Sequence, residues 1–162
     1  MENFKNKVAA ITGAASGIGA ALAETLARKG CNLALADINE KDLQKVADRL
    51  AHTGVQISQH VLDVSNRNAV ENFATNVMKQ HKGINLVINN AGVALAETVD
   101  QMSYKNFEWL MNINFWGVVY GTKAFLPHLK QSTDAHIVNV SSVFGLYAVP
   151  PQSAYNLSLI HI

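Results

Sequence analysis

The chain has 162 residues, of which 49% are apolar and 15% charged, with a formal net charge of +1. That is enough apolar material for one folded domain and too little charge for a disordered chain. The near-neutral balance gives no field to draw nucleic acid or anionic lipid. The first apolar run, VAAI after Lys7, is far too short for a signal-peptide core. Nothing approaches the ~18 uninterrupted apolar residues of a membrane span. Cys31 is the only cysteine, so no internal disulfide is possible, and it reads as an inert core thiol. A cytoplasmic protein is expected, with no membrane and no nucleic-acid partner.

Short apolar runs alternate with amphipathic ones along the chain. Residues 7–12 (KVAAIT) predict a buried strand, and 18–29 a helix stopped by Gly30. Asn32–Asp37 (NLALAD) predicts a second strand. Glu40–Leu50 carries Leu43, Val46, Ala47 and Leu50 on one face, with Asn39 as N-cap. Residues 55–61 predict a third strand. Ser65 is expected to cap a helix with Val70, Phe73, Ala74 and Val77 on one face. Residues 84–89 (INLVIN) predict a fourth strand, 104–130 two helices, and 136–141 (HIVNVS) a fifth strand. This alternation implies parallel strands joined by crossover helices. The expected fold is α/β: a Rossmann-like, doubly wound parallel sheet in three α/β/α layers, incomplete at its C-terminal edge. Ligands of such sheets bind beyond the carboxyl ends of the strands.

The first strand ends in Thr12-Gly13-Ala14-Ala15-Ser16-Gly17-Ile18-Gly19. Gly13 can take a turn conformation closed to other residues. Gly17 and Gly19 allow close approach to a ligand and to the sheet. The helix that follows offers unpaired N–H groups and a positive dipole end to a pyrophosphate, with Ser16 and Ile18 in the same turn. Asp37 closes the second strand, 18 positions after Gly19. An acid about there can accept hydrogen bonds from the adenosine ribose hydroxyls, and it repels a 2′-phosphate. Neither Ser16 nor Ile38 offers a cation to offset that repulsion. NAD is therefore expected in preference to NADP.

The spacing T-G-x-x-x-G-x-G resembles the short-chain dehydrogenase/reductase family, and further marks of that family follow in order. Asp63 and Val64 end the third strand, where the resemblance implies contact with the adenine. Asn89-Asn90-Ala91-Gly92 resembles the family's N-N-A-G motif, placing Asn90, Ala91 and Gly92 at the cofactor. Asn114 matches the catalytic-site asparagine. Ser142 precedes Tyr155 by 13 positions, the family spacing of catalytic serine and tyrosine, which selects Ser142 over Ser141. The six histidines show no metal-ligand spacing, and no metal site is expected.

The resemblance implies hydride transfer between a nicotinamide and a small alcohol or carbonyl substrate. Tyr155 would exchange the substrate proton, Ser142 would polarise the substrate oxygen, and Asn114 would help hold a water that relays the proton. An isolated tyrosine, with a pKa of about 10, is a poor base at neutral pH. The family remedies this with a lysine one helical turn on, in Y-x-x-x-K. Here that position is Leu159. Residues 157–162 (LSLIHI) also spell one translation of a transposase adapter used for sequencing libraries. The expectation is a partial dinucleotide-binding domain over residues 1–156 and a non-native tail over 157–162. The chain as written is expected to be inactive, and the full-length form a homo-oligomer. The alternative is a non-catalytic NAD-binding module or pseudo-enzyme.

Overall fold

The structure is a computed structural model and describes residues 3–160. Five parallel strands form one sheet: β1 (Val8–Thr12), β2 (Asn32–Asp37), β3 (Ile57–Val61), β4 (Leu86–Asn89) and β5 (His136–Asn139). Their order in space is β3-β2-β1-β4-β5. The chain therefore starts in the middle, builds outward to β3, then returns to lay β4 on the other side of β1. That reversal opens a crevice between the carboxyl ends of β1 and β4. The Rossmann-like α/β fold expected from the sequence is the one observed.

Alternation along the strands assigns each residue to one face. Ala9, Ile11, Leu33 and Leu35 face one core with Ala23 and Leu26 of α1 (Gly17–Arg28) and Leu43 of α2 (Glu40–Leu50). Val8, Ala10, Ala34 and Ala36 face the other. There they meet Val70, Phe73 and Val77 of α3 (Arg67–His81) and Phe125 and Leu129 of α5 (Gly117–Leu129). Both faces of β1 and most of β2 are thus covered, which explains why these strands read as continuous apolar runs. Phe73 and Phe125 meet edge-on, 5.3 Å between centroids, and lock α3 to α5.

Some local expectations are corrected: β4 starts at Leu86 rather than 84, and β5 ends at Asn139 rather than 141. The N-cap of α3 is Asn66, not Ser65: Asp63 Oδ1 accepts the Ser65 N–H at 2.8 Å, which closes a turn one residue earlier. Asn66 Oδ1 then accepts from Ala69 N at 3.1 Å. The third strand starts at Ile57 rather than 55, and it ends at Val61, so Asp63 and Val64 follow the strand instead of ending it. The two helices expected over 104–130 are α4 (Tyr104–Met111) and α5, but no break separates them. A π turn, Asn112–Trp116, carries one into the other. Asn39 caps α2 as expected, accepting from Asp42 N. A last helix, α6 (Ser153–Leu159), packs against α4 and the π turn. Among the described residues, no helix is long and apolar enough to cross a membrane.

Candidate cofactor and catalytic site

The turn after β1 is set by glycines that other residues could not replace. Gly13 has φ +66°, and a Cβ there would come within 2.8 Å of the Ala91 backbone. A Cβ on Gly19 would stand 2.1 Å from the Gly13 carbonyl oxygen, so only glycine lets α1 start so close to the turn. At Gly17 a Cβ would meet nothing within 4 Å; its φ of +51° is what calls for glycine, and the space beside it is open. Ser16, the N-cap of α1, makes no side-chain capping bond. The first-turn N–H groups of a twelve-residue helix therefore face an open cradle, with the positive end of the helix dipole behind them.

Asp37 serves this turn as well as facing the cleft. Its Oδ2 accepts the Ala15 N–H at 2.9 Å and its Oδ1 the Asn39 N–H at 2.9 Å. Each carboxylate oxygen keeps a lone pair for a further donor. On the far side of β1, Asn90 ties two strand ends together. Its Nδ2 donates to the carbonyls of Thr12 (2.9 Å) and Gly13 (3.2 Å). Thr12 Oγ1 in turn accepts from Asn90 N and Ala91 N. Thr12 opens the glycine motif, but nothing in the sequence announced this role.

Asn114 lies in the π turn and is 3% exposed. Its Oδ1 accepts from Val93 N and its Nδ2 donates to Val93 O, both at 2.8 Å; the Nδ2 also donates to Ser158 Oγ at 3.2 Å. The side-chain amide thus grips the loop after β4, and the π turn presents it inward. Ser142 follows β5 and caps a short 3-10 turn (Val143–Gly145), its Oγ accepting from Phe144 N. That leaves the Ser142 O–H for another acceptor. Tyr155, on α6, meets Phe144 edge-on at 6.3 Å. Among the described residues, no hydrogen bond engages its hydroxyl.

These groups line two adjoining cavities. The larger, about 620 Å³, is walled by Gly13, Ser16, Gly17, Ile18, Asp37, Asp63, Val64, Asn90, Ala91 and Gly92. Every expected cofactor residue except Gly19 is there, and Gly19 acts from behind the turn. The smaller, about 330 Å³, brings together Asn114, Ser142 and Tyr155, the three expected catalytic residues, from separate elements. Ile18 and the segment from Asn90 through Val93 line both. Trp109 and Ile113 also wall the larger cavity; no motif had pointed to Trp109. Leu159 sits where the resemblance calls for lysine, 7% exposed at the edge of the smaller cavity. Cys31 is far from this chemistry; burial pushes its thiol up to about 11, which keeps it protonated and unreactive. Among the described residues, no group of three or more His, Cys, Asp or Glu could hold a metal ion.

The family model for short chain dehydrogenases matches residues 7–158, and the chain belongs to that family of oxidoreductases. It is 49% identical over 156 residues to a Mycobacterium tuberculosis protein named as an oxidoreductase, SadH. That match covers 96% of this chain and 56% of SadH. A short-chain dehydrogenase/reductase from Burkholderia phymatum, solved in complex with NAD, superposes with a TM-score of 0.95 at 38% identity. It covers 99% of this chain and 57% of its own. An alcohol dehydrogenase from Thermococcus sibiricus, complexed with 5-hydroxy-NADP, superposes with a TM-score of 0.92 at 34% identity, covering 95% and 66%. The chain thus spans little more than half the length of SadH and of the Burkholderia phymatum protein, and its structural neighbours include both NAD- and NADP-type complexes.

Proposed function

We propose that this chain carries the NAD(H) site and the catalytic serine and tyrosine of an enzyme that interconverts a small-molecule alcohol and its carbonyl. The observation that supports this best is that two cavities adjoin. The start of α1 and the Asp37 carboxylate line one, and Ser142 and Tyr155, each with an available hydroxyl, line the other. The open space beside Gly17 and the uncapped first turn of α1 suit a pyrophosphate. Asp37 accepts the adenosine ribose hydroxyls, Asp63 and Val64 border the adenine, and Asn90, Ala91 and Gly92 lead towards the nicotinamide end. When bound, the nicotinamide supplies the hydride chemistry. Ser142 donates its O–H to the substrate oxygen as charge develops there, and Tyr155 gives or takes the proton on that oxygen. Asn114 holds the Val93 loop in place and stands beside the route by which the proton reaches solvent.

NAD is preferred over NADP because a 2′-phosphate would face the Asp37 carboxylate with no neighbouring cation. Calorimetric titration of the chain tests this. NAD binds at least about tenfold more tightly than NADP, and Asp37→Asn narrows the gap to a few-fold. NADP binding as tightly as NAD to the unaltered chain would contradict the assignment.

A second reading, an NAD-binding module without catalysis, is favoured by one observation. Leu159 is an aliphatic side chain where the phenolate of Tyr155 needs a cation. On either reading the chain as written turns over poorly.

A further inference from the structure

The motifs leave one large side chain of the cofactor cleft without a role. Trp109 lies on α4, yet its indole lines the 620 Å³ cavity together with Ile113. The two are four residues apart and share a helix face. The residues that follow each of them, Leu110 and Asn114, point inward at 0% and 3% exposure. Trp109 and Ile113 line only the larger cavity, whereas Asn114 lines only the smaller. The α4–π segment therefore divides its side chains between the two lobes, and Trp109 lines the lobe that also holds Asp37, Ile38 and Asp63. That is the adenosine side of a doubly wound sheet, where the acid ending β2 meets the ribose.

Trp109 is 44% exposed in this cleft. Trp116 is about as exposed, at 43%, but it stacks on Tyr120 and meets Phe115 edge-on. Among the described residues, no ring packs on Trp109 and no hydrogen bond engages its indole N–H. An open π face and an unused donor at the adenosine end suit a flat heteroaromatic base bearing ring-nitrogen acceptors.

We infer that Trp109 is the wall of the cleft against which the adenine base packs, a base-recognising residue that α4 contributes. The inference rests on the dinucleotide reading above, and the test separates the two. Trp109 and Trp116 are the only tryptophans, so Trp116→Phe leaves Trp109 as the sole indole reporter. This variant is titrated with AMP, nicotinamide mononucleotide and NAD, following tryptophan emission and heat in parallel. AMP and NAD change the Trp109 emission, and nicotinamide mononucleotide leaves it unchanged. In the otherwise unaltered chain, Trp109→Ala weakens AMP and NAD about tenfold, and Trp109→Phe recovers most of the loss. Binding of AMP by heat with no change in Trp109 emission would overturn the inference while leaving the dinucleotide reading intact. So would an AMP affinity within about twofold of the parent in Trp109→Ala. If that variant does not fold, the emission arm decides alone, because it leaves position 109 untouched. If neither AMP nor NAD binds the parent chain, the dinucleotide reading fails and takes the inference with it.

Discussion

Single residues in this site carry structural bonds that a sequence does not show. Asp37 is expected from its spacing to receive a ribose, and it also holds the glycine turn through Ala15 N. Asn90 reads as part of a cofactor motif, but its side chain spends both N–H groups on Thr12 and Gly13, more than seventy residues away in the chain. Those long-range bonds follow from how β1 and β4 come side by side, which no local pattern encodes. The same is true of Trp109: its helical spacing from Ile113 was legible, but the cavity it faces exists only after folding. Leu159 is the residue whose chemistry was plainest in the sequence. An ammonium there would stabilise the phenolate of Tyr155, and an isobutyl group does not. NAD-dependent oxidation of a panel of secondary alcohols by this chain is therefore expected to be near the detection limit. Leu159→Lys raises it at least about tenfold, equivalent to ~1.4 kcal/mol of barrier. Equal rates in the two chains would favour the non-catalytic module.

At the scale of elements, the strands and helices around β1 were legible because continuous apolar runs and period-3.6 patterns were strong there. The departures have local causes. Asp63 captures the Ser65 N–H and moves the α3 cap to Asn66. The long apolar run over 104–130 hid its π turn, since periodicity alone does not register one extra residue in a helix. The histidines follow no metal-ligand spacing, but two of them meet across β3 and α3. His60 Nε2 and His81 Nε2 both contact Ser58 Oγ, at 2.9 and 2.8 Å, and His60 packs on Phe73 at 4.8 Å. Burial holds His60 at about 4, with His81 beside it adding to the shift, and burial lowers His81 as well. In the unfolded chain each takes its proton near pH 6.5. The unfolded state thus binds more protons between about pH 6.5 and 4, and stability falls as pH drops through that window. Urea midpoints measured from pH 7 to 4 are expected to decline. His60→Gln flattens the decline, with at most about 1.4 kcal/mol per pH unit at stake for this one group. A parent and variant with parallel pH profiles would contradict this account.

For the molecule as a whole, the decisive fact is the strand order β3-β2-β1-β4-β5. It sets the glycine turn, Asp37 and Asp63 on one side of the crevice and brings Ser142 and Tyr155 to the other. The fold class was legible because alternating strands and helices leave few other arrangements. The adjoining of the two cavities was not, since it depends on residues just after β1, β4 and β5 and on α6 meeting only after folding. A single NAD molecule is expected to span both cavities. Diffraction from crystals of this chain grown with NAD tests this, with the adenosine ribose hydroxyls expected on the Asp37 carboxylate, the pyrophosphate at the start of α1, and the nicotinamide beside Ser142 and Tyr155. A dinucleotide lying in the reverse direction, or crevice density empty at saturating NAD, would contradict it.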